Sequence, residues 1–208
     1  MNLRISSLEN ARRNPRKFAA TSGKGFPSLS FKTYFDGAVK RHHESWSDDK
    51  VIDYFQENSK KRLQTQAHFD SRLVHYTKTL QTYIATYPAQ GLGFVQGTLP
   101  ICLPVGRHKI SGKARNLNLR ISPSGYTLVT VHLYDNDWPA ELKWPLFQRA
   151  VAQKMDAGID EVDIRSFCME SSVFSTVTYT AEEIRRAMDE ASDLLDLLES
   201  YGYLLTDE

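Results

Sequence analysis

The chain has 208 residues, of which 41% are hydrophobic and 11% aromatic, enough to bury a real core and to exclude wholesale disorder. No apolar run approaches the ~20 residues of a membrane helix. The opening MNLRISSLENARRNPRKF lacks the apolar stretch of a secretory signal, and the two distant cysteines, Cys102 and Cys168, make neither a disulfide framework nor a zinc motif, so a cytoplasmic protein with no membrane partner is expected. The net charge of +1 hides a split, because residues 1–120 hold 20 Lys+Arg and 8 Asp+Glu while residues 121–208 hold 6 and 17.

In chain order, residues 6–20 read as a basic helix capped by Ser6 or Ser7, with a break at Pro15. TSGKGFPSLS at 21–30 is a loop. Apolar residues at helical spacing then predict helices around Phe31–Ala38, Val51–Phe55 and 64–87, the last ended by Tyr87-Pro88. Ser45-Trp46-Ser47-Asp48 forms a turn between the first two. After Gly91 the pattern changes, and residues 93–105, 107–121 and Gly125–Tyr134 read as a strand meander. A helical stretch with Pro139 and Pro145 near its starts reaches about Met155. Val162–Met169 and Val173–Tyr179 form a strand pair. Thr180-Ala-Glu-Glu183 fits a capping box for a last helix with one apolar stripe, stopped by Gly202. The expected division is a mainly helical, basic region over 1–90, packed on an α/β core with a C-terminal helix over 91–208.

Few chemical motifs appear. GLGFVQG at 91–97 lacks the lysine of a phosphate loop and opens no helix. No Gly-x-Ser-x-Gly elbow occurs. His68 and His75 share a predicted helix, without a carboxylate or cysteine at metal-ligand spacing. His42, His43, His108 and His132 are read as structural, and no metal site is expected.

The segment from Arg107 to Met155 resembles the RecB-like branch of the PD-(D/E)xK nuclease superfamily. The resemblance rests on Gly112 in the second strand, and on Trp138, Glu141-Leu142, Pro145-Leu146 and Gln148 in the stretch after the meander. It covers about residues 107–200 and implies an α/β (α+β) fold, a restriction-endonuclease-like mixed sheet flanked by helices, with a helical N-terminal half. In that family two carboxylates hold a divalent metal, and a lysine two residues along the strand faces the same side. The first acid should fall near Arg115 or Asn118. The second acid and its lysine should fall at Thr130 and His132, or at His132 and Tyr134. None of these is acidic, and no Asp or Glu other than Asp70 lies between Glu57 and Asp135. A degenerate catalytic centre with no cofactor is expected. The rival is a displaced set of Asp135, Asp137, Glu141 and Gln148 that would take Mg²⁺ or Mn²⁺. In the bland readings Asp137 caps a helix, Glu141 meets Lys143, and Gln148 is a polar residue on a helix face.

The basic residues suit binding. Arg12, Arg13, Arg16 and Lys17 decorate the first helix, and Arg107, Lys109, Lys113 and Arg115 decorate the second strand region; clustered cations bind phosphates without any catalytic group. Trp46 and other interleaved aromatics, such as Phe26, offer stacking surfaces. Two further readings stay open, a solvated basic face and pairing with the acidic C-terminal helix. The expected function is a nucleic-acid-binding or scaffolding subunit of a larger bacterial DNA-processing or antiviral defence complex. The alternatives are an active nuclease and a protein–protein adaptor.

Overall fold

The computed structural model describes residues 2–21, 30–120, 123–134 and 137–203. The expected order of helices, meander, helix, strand pair and helix is present. The helices are α1 (Leu8–Arg13), α2 (Pro15–Ala20), α3 (Phe31–His43), α4 (Asp48–Leu63), α5 (Phe69–Thr86), α6 (Lys143–Met155) and α7 (Ala181–Ser200). The strands are β1 (Asn2–Arg4), β2 (Leu92–Val105), β3 (His108–Arg120), β4 (Gly125–His132), β5 (Val162–Cys168) and β6 (Phe174–Val177). Among the described residues no helix is long and apolar enough to cross a membrane.

The sheet is mixed and sits between two helical layers, as the sequence led us to expect. Its order is β1-β3-β4-β5-β6, with β2 on the other edge of β3. The β2–β3–β4 meander and β5–β6 are antiparallel, whereas β1–β3 and β4–β5 are parallel. Period-two alternation sends successive side chains to opposite faces, and in the central strands β4 and β5 both faces are largely buried. Leu128 joins the apolar cluster of β1, α1, α6 and α7, while Val129 and Val131 join that of α3, α4 and α5. Leu195 and Leu198 of α7 are fully buried, each worth about 1.5–3 kcal/mol. The Thr180–Glu183 capping box is present, with the Thr180 N–H donating to Glu183 at 2.7 Å.

The N-terminal reading needs correction. Residues 2–20 hold a strand, a short 3-10 turn and two helices instead of one kinked helix. β1 pairs Leu3 with Ile110, a partner too distant in sequence to leave a local signal. Ser7 occupies the α1 N-cap without accepting a side-chain hydrogen bond. At the break, Asn14 leaves helical geometry before Pro15, and its side chain accepts from the Lys17 N–H at 3.0 Å. Asp137 likewise precedes a 3-10 turn at Trp138–Ala140 and caps it through its backbone only. The helix expected there begins at Lys143. The fifth helix starts at Phe69, after His68 in the left-handed region. Leu133 and Tyr134 fall outside β4, and β6 is shorter than predicted.

Candidate functional site

β2 occupies one edge of β3 along its whole length, so β1 and β4 must share the other. β1 takes Lys109–Ser111 and β4 takes Leu117–Arg120. Residues 112–116 therefore pair on one edge only, and β4 diverges from β3 beyond Leu128. Gly112 permits this arrangement, because Ile5 lies so close that a Cβ there would collide with it. Asn116 adopts a φ of 51°, and the β2–β3 register slips between Phe94 and Gln96. Such a bulge bends and twists the strand.

A cleft of about 690 Å³ opens in this fork. Its cations are Arg4 from β1, Lys113 and Arg115 from β3, and Lys143 from the start of α6. Ser6, Ser111 and Thr130 add hydroxyls, while Trp144 and Phe147 form an apolar wall. Lys143 Nζ lies 4.6 Å from the Trp144 ring centroid, a favourable cation–π contact, and also pairs with Glu141. Among the described residues, no carboxylate lines the cleft. Divalent magnesium needs anionic oxygens. Four cations and three hydroxyls do not fit it.

Of the four degenerate positions, Arg115 and Thr130 meet at the cleft, while Asn118 and His132 go elsewhere. Asn118 is buried below the helical layer, accepting from the Tyr87 hydroxyl at 2.6 Å and donating to the Asn116 carbonyl. His132 Nδ1 bonds Ser166 Oγ at the far end of β4. The rival set does not gather either. Asp135 lies outside the described residues. Asp137 is exposed, and Glu141 pairs with Lys143. Gln148 is fully buried. Its Nε2 donates to the carbonyls of Ile159 and Tyr179 at 2.8 and 2.9 Å, and its Oε1 accepts from the Tyr179 N–H. It is a clasp between α6 and the segment leading to α7.

The basic residues divide. Arg12 pairs with Glu190 of α7 at 2.6 Å. Arg107 bonds Asp196 and Glu199, and His108 Nε2 lies 3.0 Å from Asp196. The hydrogen bond from His108, and then that from Arg107, hold the Asp196 carboxyl below the usual range. Ligand atoms of His108, Asp196 and Glu199 lie within 4.8 Å of one another, but the Arg107 guanidinium already supplies the cation there. Arg120 is also internal, pairing with buried Asp163. Lys109, Arg13, Arg16 and Lys17 are exposed. Arg4 and Lys143 were not among the candidate nucleic-acid-binding residues, and the nearby Asp36 was not singled out. Arg4 reaches the fork through a non-local strand pairing, and Lys143 through a helix start placed too early. Trp46 is 44% exposed, with Arg41 packed between its ring and that of Tyr54. Phe26 lies outside the described residues.

No protein-family model matches the chain, and no curated protein does. Among solved structures, a presumptive exonuclease from Eubacterium rectale aligns over 86% of this chain and 71% of its own, with a TM-score of 0.51 and 10% identity. The structure named SSO0001 aligns over 92% and 82%, with a TM-score of 0.36 and 10% identity. The first likeness is one of fold, a mixed α/β sheet flanked by helices.

Proposed function

We propose that this chain is a RecB-like nuclease-fold protein that binds nucleic acid through the fork cleft and has lost the metal-dependent chemistry of its relatives. The observation that carries the reading is the cleft itself. At the point where β3 and β4 part, the side chains that converge are Arg4, Lys113, Arg115 and Lys143, with Thr130 in the place of an acid. Each cation that neutralises a phosphate releases counter-ions, so affinity arises without a catalytic group. Trp144 on the wall offers a ring edge or face to a base. Membership of a larger DNA-processing or defence complex belongs to the same proposal and rests on the family resemblance.

The test is binding of labelled DNA and RNA, single- and double-stranded, across a salt series. Four phosphate contacts predict roughly a hundredfold loss of affinity between about 50 and about 200 mM salt. Parallel incubations with Mg²⁺ or Mn²⁺ should leave the strands intact. Cleavage abolished by Asp137→Ala or Glu141→Ala would overturn the loss of chemistry. Absence of binding at low salt, with a protein partner co-purifying, would favour the adaptor.

A further inference from the structure

Glu141 and Asp36 are acidic neighbours of the fork's cations. Glu141 pairs with Lys143. Asp36, on α3, is more central. Its Oδ2 accepts from Lys32 Nζ, one turn earlier, at 2.6 Å. α3 packs against both β3 and β4, and the charges of Arg115 and Lys143 act on the same carboxylate. Its side chain is 28% exposed. Burial raises its pKa, and this outweighs the opposing pull of the three cations. A half-buried carboxylate whose charge is felt by Arg115 and Lys143 of the cleft is placed to compete with any anion entering it.

We propose that Asp36 is the resident counter-ion of the fork cleft and sets its affinity for phosphate groups by repelling them. This rests on the reading of the cleft as a phosphate-binding, nucleic-acid site. In the absence of a ligand, Asp36 neutralises Lys32 and screens Arg115 and Lys143. A phosphodiester seated on Arg115 brings a second negative charge beside the first. At an effective permittivity between that of a protein surface and that of water, this repulsion weakens binding by about three- to tenfold. Asp36→Asn keeps the shape, removes the charge and frees Lys32 to face the ligand. Because burial already disfavours the carboxylate, the amide should fold at least as well. A metal-ligand role for Asp36 would have the opposite sign, since removing an anionic oxygen would weaken Mg²⁺-dependent binding.

The experiment compares wild type, Asp36→Asn and Lys32→Ala. Each is titrated with a labelled single-stranded oligonucleotide by anisotropy and with sodium pyrophosphate by calorimetry. Asp36→Asn should bind both ligands about fivefold more tightly, with a salt slope for the oligonucleotide steeper by about one. Lys32→Ala should bind more weakly, and it carries the test if the amide variant does not fold. A purely structural role predicts loss or no change in Asp36→Asn, never gain. Equal affinities, or weaker binding by Asp36→Asn, would overturn the assignment while leaving nucleic-acid binding intact. Tighter pyrophosphate binding by Asp36→Asn without any oligonucleotide binding would keep the assignment and overturn the nucleic-acid reading. Failure of all three proteins to bind either ligand would overturn both.

Discussion

The same basic half of the chain meets two environments. At the α7 seam, Arg12, Arg107 and His108 face Glu190, Asp196 and Glu199, and charge is matched across the contact. At the fork, Arg4, Lys113 and Arg115, joined by Lys143 from the other half, line an open cleft with no acid on its wall among the described residues. Local sequence makes Arg107 and Arg115 look alike, since both are arginines in one basic stretch around a single strand. What separates them is the partner that topology delivers, an acidic helix in one case and a diverging strand in the other. The charge split is therefore partly answered within the fold and partly left over for a ligand.

The largest expected effect breaks the comparison directly. Lys113→Glu with Arg115→Glu should lower nucleic-acid affinity roughly a hundredfold and reduce the salt slope by about two. The same charge change at the seam, Arg12→Glu with Arg107→Glu, should leave affinity within about threefold. It should instead lower the melting temperature, because three acids on α7 would then face two more. If the two double variants lose affinity equally, the division between fork and seam is wrong, and the whole basic half acts as one surface.

A second variant separates architecture from site on the helix between the two regions. Gln148 stands where the resemblance would put a residue of the glutamine motif, yet its three hydrogen bonds go to backbone groups in a fully buried position. Gln148→Ala leaves those backbone groups unsatisfied and opens a cavity, so chemical denaturation should show a loss of about 2–3 kcal/mol. Nucleic-acid affinity per folded molecule should stay the same. A loss of affinity without a loss of stability would return Gln148 to the site.

Much of the fold was legible because its signals are local. The capping box at Thr180 and the alternation of Val129 and Val131 each act over a few residues; α5 also ends just before Pro88, although Tyr87 itself keeps helical angles and a 3-10 turn follows. Arg115 and Thr130 were singled out through the family resemblance, and they meet at the cleft. What escaped was non-local or irregular. β1 exists because Leu3 finds Ile110 across the sheet. The left-handed backbone at Asn116 turns Asn118 away from the face that simple alternation would assign. Asp36 looks like an ordinary polar position on an amphipathic helix, and only the packing of α3 on β3 and β4 brings it among the cleft's cations.

The smallest expected effect sharpens the comparison through pH. On the opposite face from the seam, His43 is 3% exposed, its Nε2 lies 2.7 Å from the Tyr83 hydroxyl, and burial lowers its pKa to about 3. His42 is shifted in the same direction by burial. A histidine kept neutral in the fold binds fewer protons there than in the unfolded chain. Its stability contribution is therefore present above its unfolded value, near 6.5, and is lost as pH falls towards the folded value. One such group predicts a loss of about 1 kcal/mol between roughly pH 7 and pH 5.5. The seam should behave differently. The lowered Asp196 carboxyl contributes above its unfolded value, and that contribution is lost only as pH falls further through its folded value. Denaturant titrations across pH should therefore show two separate windows, with His43→Gln flattening the upper one and Asp196→Asn the lower. An upper window that persists when His42 and His43 are both replaced by glutamine would move the titrating group away from the helical layer behind the fork.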